Sequence, residues 1–127
     1  MAPLLLLLMF GVADFSRMFG VADQVVGAAR AATQYGMMSP AHYGDFTGMA
    51  SAAFADAPNV LNLAVTASEF CTCTIGGTQL ACPATCTSGT EMIYLKVVTS
   101  APFTTLLSYP MVSKTTQLKS VSIIRVQ

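Results

Sequence analysis

The chain has 127 residues, 54% of them hydrophobic and only 9% charged, and its six acidic and six basic side chains cancel to a formal net charge of zero. That length fits one domain with a core of its own, and a neutral chain with so few cations lacks the clustered positive footprint that nucleic acid requires. A soluble monomer carries more surface charge than this, so much of the surface is expected to be covered by lipid or by other protein.

Residues 2–36 read as one helix of about 50 Å at ~1.5 Å per residue. Pro3 suits a first helical turn, Gly36 suits a C-terminal stop, and the residues between are rich in Leu, Ala, Met, Gln and Arg. Leu4, Leu5, Leu6, Leu7, Leu8, Phe10, Val12, Phe15, Phe19 and Val25 cover most directions around the axis. A helix apolar all round is buried all round. Within this segment MFGVAD occurs twice, as Met9–Asp14 and Met18–Asp23. Nine residues turn a helix by roughly 900°, a net half turn, so the two copies and their aspartates face opposite sides.

Three readings compete for this segment. A signal peptide is disfavoured because no positive n-region precedes the leucines and the helical pattern runs past the small-residue site Gly11-Val12-Ala13. A lone membrane anchor is marginal, since the uncharged run Ala2–Ala13 supplies only ~18 Å of helix against a hydrocarbon core of ~30 Å. Lengthening the span takes in Asp14 and Arg17, at ~2.5–3.5 kcal/mol each against ~0.3–0.6 gained per leucine. The favoured reading is a helix held transiently in a membrane and then packed against copies of itself. Asp14 and Arg17 then pair within one turn or with adjacent helices, while Gly20, Gly27 and the alanines at 28, 29, 31 and 32 permit close approach. Burying Leu4–Leu8 would contribute on the order of 10 kcal/mol per subunit before entropic costs.

Residues 37–45, with Ser39-Pro40, Gly44 and the single histidine, His42, read as a loop, and a lone loop histidine is read as exposed or structural. A short helix is expected within Thr47–Ala57, ended by Pro58-Asn59. Strand patterns follow: Leu61–Thr74, a Gly76-Gly77 hairpin turn with a return at Leu80–Cys82, the alternating Met92–Thr99, and Leu118–Val126 after Pro102 and Pro110. One long helix, a short helix and then antiparallel strands is an α+β plan.

Cys71, Cys73, Cys82 and Cys86 fall within 16 residues. An even, tight set in a small chain reads as two disulfides and an oxidising compartment. Of the three connectivities, the nested one, Cys73–Cys82 inside Cys71–Cys86, is preferred, because the crossed one asks the chain to fold back sharply at Pro83. A four-thiolate zinc site is the lesser alternative, since C-x-C is cramped for a zinc knuckle. With one histidine and scattered acids no catalytic constellation stands out, and neither an enzyme nor a cofactor is expected.

The stretch APLLLLLMFGVADF-x-R at Ala2–Arg17, the alanine-rich continuation VVGAARAATQYG, the C-x-C…C-x-x-x-C middle, YLKVVTSAPFTTLL at Tyr94–Leu107 and a last strand ending near Arg125 resemble the TadE-like pilin family, within the type IV pilin-like group. The resemblance implies a pilin-like fold: a helix of about residues 2–36 packed on a small antiparallel sheet. Residues 1–36 would serve as membrane and assembly helix, and residues 37–127 as a globular head with a disulfide-bonded hairpin. It implies a structural subunit that passes through a bacterial inner membrane and periplasm and polymerises into an extracellular filament for adhesion or secretion. Asp14, Arg17, Asp23 and Arg30 would then help hold register between the helices. Family precursors also carry a glycine cleavage site and a nearby glutamate ahead of the Pro-Leu run. Met1-Ala2-Pro3 supplies neither, which fits a mature or trimmed form, or assembly without that glutamate. The alternative is a non-polymerising membrane-anchored binding or initiator module in the periplasm or at the cell surface.

Overall fold

A computed structural model describes residues 1–127. Helix α1 runs Ala2–Met37, 36 residues, or about 54 Å. A single 3₁₀ turn at Pro40–His42 leads into α2, Phe46–Asp56, and three strands follow: β1 Ala64–Thr72, β2 Met92–Thr104 and β3 Thr115–Arg125. The strands form one antiparallel sheet in the order β1-β2-β3. The expected α+β architecture, a long helix on a small antiparallel sheet, is the one observed. Both later strands are longer than their apolar patterns suggest, because β2 and β3 stay paired out to Thr104 and Thr115.

The central strand shows why the sheet sits where it does. Leu95, Val97, Thr99, Ala101 and Phe103 alternate along β2 and are all buried beneath α1, while the residues between them are half-buried on the far face. Val65, Ala67, Ser122 and Ile124 lie opposite them in register and complete the inner face. The core joins Ala28 and Ala32 of α1 to Met49 and Ala53 of α2, to Ala57 just beyond it, and to Leu95 and Val97. Alanines on both helices let their backbones approach closely. At Gly36 the approach leaves no room for a side chain: a Cβ there would stand 2.5 Å from Leu95 Cδ1 and 2.7 Å from Met49 Cε. Two hydroxyls tie helix to sheet. Thr99 Oγ1 donates to the Val25 carbonyl at 2.7 Å, and Thr33 Oγ1 pairs with Ser122 Oγ at 3.1 Å.

Leu95 is fully buried at the centre of this layer. Leu95→Ala is expected to cost about 2–5 kcal/mol through lost transfer energy and the cavity left behind. Thermal unfolding of the head followed by circular dichroism should show Tm falling by ~10 °C or more.

Helix α2 starts on a real cap. Asp45 Oδ1 accepts the Gly48 N–H at 2.9 Å, and Oδ2 accepts the Tyr35 hydroxyl at 2.7 Å. His42 stacks on the Tyr35 ring at 4.4 Å between centroids, and its Nδ1 lies 3.2 Å from the Tyr35 carbonyl. The lone histidine is therefore part of this joint. The Tyr35 hydroxyl, then the Gly48 N–H, hold the Asp45 carboxyl below the ordinary aspartate range despite partial desolvation, and the same bond raises the Tyr35 phenol. A carboxyl depressed in the folded state binds more protons unfolded, so its stabilisation is present above the ordinary range and is lost as pH falls through the folded value. Asp45→Ala should thus lower Tm by several degrees at neutral pH, and the gap from the unaltered protein should narrow as pH is taken down through 4 and below.

The hairpin after β1 corrects the expected disulfide pairing. The bonds are Cys71–Cys82 and Cys73–Cys86, the crossed connectivity in place of the nested one. The reason is register. Cys71 and Leu80 exchange both backbone hydrogen bonds, at 2.9 and 2.8 Å, which sets Cys82 beyond Cys71 and away from Cys73. Cys82 therefore closes on Cys71. The chain then turns back at Pro83, where the peptide bond is cis, and brings Cys86 to Cys73. Glu91 Oε1 accepts the Ala84 N–H at 2.6 Å and fastens this return. The expected return strand at Leu80–Cys82 is reduced to the single bridge at Leu80.

Candidate functional site

The helix has two unlike halves. From Val25 onward it is part of the head, with Val25, Ala28, Ala29, Ala32, Thr33 and Gly36 buried. Ala2 to Phe10 are all exposed, and Leu4–Leu8 keep 54–61% of their surface open. The expectation of burial all round is not met inside one chain, because the sheet ends near Asp14 and nothing beyond it reaches the leucines. Any cover for them comes from outside. The helix is long and apolar enough to cross a membrane.

Asp14 marks the boundary. It is 4% exposed, and its carboxylate is filled by partners from its own chain. The Leu106 N–H reaches both oxygens at 3.1 Å, the Tyr109 hydroxyl donates to Oδ2 at 2.9 Å, and Arg17 Nη1 donates to Oδ1 at 3.2 Å. The last is also an ion pair one helical turn apart. Arg17 lies over the Phe103 ring, 5.5 Å from its centroid, so the guanidinium is held from two sides. Leu106 and Tyr109 belong to the tip joining β2 to β3, which Thr105 N–H and the Lys114 carbonyl close at 2.9 Å. One end of the sheet is thereby fixed to the helix at a set height. A buried charge needs such a full set of partners.

The two repeat copies do face opposite sides. Asp14 is buried against the head, and Asp23 is exposed. Arg30 is also exposed. Phe15 and Phe19 stack edge-on at 4.7 Å and remain open at 58% and 55%. Gly20 has open space around it, whereas a Cβ at Gly27 would stand 2.7 Å from Asp56 Oδ2. Gly27 and the alanines after it thus serve the approach of this chain's own head. The structure groups Leu4–Leu8, Phe10, Phe15, Phe19, Gly20 and Asp23 on the uncovered part of α1. It separates from them Asp14 and Arg17, held by the tip, and Gly27, held by α2.

The four cysteine sulfurs are joined in pairs, which removes them as thiolate ligands, although the Glu91 carboxylate lies within 4.8 Å of the Cys71 and Cys82 sulfurs. Sequence reasoning missed Tyr109 and Leu106 as partners of Asp14. No local feature of the sequence marks them, because they lie more than 90 residues away along the chain. No curated protein and no solved structure matches the chain. The segment that carries the exposed helix does match a family: residues 1–34 match the family described as TadE-like protein, and the chain resembles that family over this segment.

Proposed function

We propose that this chain is a pilin-like structural subunit that polymerises through its N-terminal helix into an extracellular filament serving adhesion or secretion, after transient residence in a bacterial inner membrane. The observation that carries the reading is the division of α1. Its C-terminal half is built into a disulfide-stapled head, and its first turns present a leucine band that no part of the chain covers. The match of residues 1–34 to the TadE-like family supports it. In this reading residues 1–36 act as the assembly helix and residues 37–127 as the head, with the helix end shared between them. The work is assembly, driven by burial of the leucine band; no cofactor or catalytic step enters.

A second reading, a membrane-anchored binding or initiator module that never polymerises, draws on Asp14. Its charge is already satisfied within the chain, so the helix can enter a bilayer without a neighbouring copy. Limited proteolysis and sedimentation of the full chain separate the readings. The filament reading expects large assemblies in which residues 1–30 resist protease without detergent. Discrete small oligomers that stay with the membrane fraction would favour the anchor. A dispersed monomer with residues 1–30 cleaved would refute the filament.

A further inference from the structure

The β2–β3 tip carries four large apolar side chains that stay exposed in the chain: Leu106 at 57% exposure, Leu107 at 41%, Met111 at 106% and Val112 at 57%. They lie within a run from Val97 to Ser113 that contains no charged residue, and Lys114 ends it. Exposed apolar clusters of this kind mark contact surfaces. The tip is also fixed in position. Its Leu106 N–H and Tyr109 hydroxyl grip Asp14, and Val112 shares a depression with Gly11, Phe15 and Met18 of the helix. The apolar tip is therefore level with the end of the leucine band and continuous with it.

We infer that the β2–β3 tip is a lipid-contacting wedge, which sits in the interfacial layer of a phospholipid bilayer and completes the membrane-embedded surface begun by the helix. This rests on the reading that α1 resides in a membrane before assembly. The uncharged run Ala2–Ala13 alone spans only ~18 Å, too short for a core of ~30 Å. The tip removes the obstacle to going deeper. It covers Asp14 and fills its carboxylate with donors, and it holds Arg17 between that carboxylate and Phe103. With that pair satisfied, the apolar helix surface continues through Phe15 and Phe19, both open. Ala2–Phe19 spans about 27 Å, close to a full hydrocarbon core. With Phe19 at that boundary, the Asp14 level gripped by the tip lies about 8 Å below it, within the depth that interfacial apolar side chains reach, and Arg17 and Lys114 supply flanking cations that suit an anionic interface.

The chain has no tryptophan, so single substitutions report depth directly. Full-length Met111→Trp, Leu6→Trp and Ile75→Trp variants would each be reconstituted in phosphatidylethanolamine–phosphatidylglycerol vesicles with and without lipids brominated near the headgroup. Ile75 is 83% exposed in the Gly76-Gly77 turn, at the other end of β1–β2 from the tip, and serves as the aqueous control. The wedge predicts a blue-shifted Met111→Trp emission, quenching by the bromolipid, and acrylamide quenching reduced about threefold or more relative to Ile75→Trp, as interfacial burial of ~5–10 Å requires. If Leu6→Trp reports lipid while Met111→Trp stays aqueous, the wedge is wrong and the membrane helix stands. If neither meets lipid, the membrane reading itself fails. If Met111→Trp is shielded only in assembled material and not in vesicles, the tip contacts a second copy, and the lipid assignment is overturned.

Discussion

Leu6→Lys is expected to abolish assembly while leaving the head folded. Leu6 is 55% exposed and lies in the first turns of α1, where every side chain from Ala2 to Phe10 is exposed. The substitution therefore breaks nothing within the subunit, and Tm of the head should stay within about 2 °C, as for surface changes generally. Assembly is different, because there the side chain must leave water. Burying one leucine is worth ~1.5–3 kcal/mol, and a lysine in its place brings an unpaired charge into an apolar layer. The milder Leu6→Ala serves as a graded control: losing most of one leucine's burial should raise the critical concentration for assembly about tenfold. Sedimentation of the full chain across a concentration series measures both. Unchanged assembly by Leu6→Lys would mean that the leucine band is not the contact.

The second large effect concerns the staples. Replacing all four cysteines by serine is expected to unfold the hairpin and strip most of the head's stability. The loops closed by Cys71–Cys82 and Cys73–Cys86 separate their ends by 11 and 13 residues, for which chain entropy gives about 3 kcal/mol each. A small head of this kind has only ~5–15 kcal/mol in total. Its hydrophobic core is correspondingly modest, with Leu95, Val97 and Met49 the largest members of a cluster otherwise made of alanine. Removing one pair should be tolerated with a lowered Tm; removing both should leave no cooperative thermal transition at 37 °C. Cys71→Ser with Cys82→Ser and Cys73→Ser with Cys86→Ser also check the connectivity. Each should leave one intact disulfide and no free thiol. Free thiols in these double variants would contradict the crossed pairing.

The parts of this molecule visible in the sequence are the ones governed by local chemistry. Pro3 and the leucine and alanine content mark α1, Pro58 ends α2, and the alternation of Ile93, Leu95 and Val97 marks β2. The opposite facing of Asp14 and Asp23 also follows from helical rotation alone. What stayed hidden depends on distant residues. Asp14 finds Tyr109 across 95 positions, and no local rule reveals that partner. The alanines at 28, 29 and 32 read as a smooth surface for a neighbouring subunit, yet the chain's own sheet and α2 take it. Small residues that allow close approach look the same in sequence whichever body approaches. The disulfides turned on the pairing of Cys71 with Leu80, a register that the composition of the hairpin does not encode.

The uncovered leucine band and the clamp at Asp14 together describe a packed head and a bare first part of the helix, as the proposed assembly requires. Negative-stain imaging of material sheared from the surface of cells producing this chain, labelled with an antibody to the head, tests that claim most directly. Filaments decorated along their length are predicted. Label confined to membrane fragments, with no decorated filament, would contradict it.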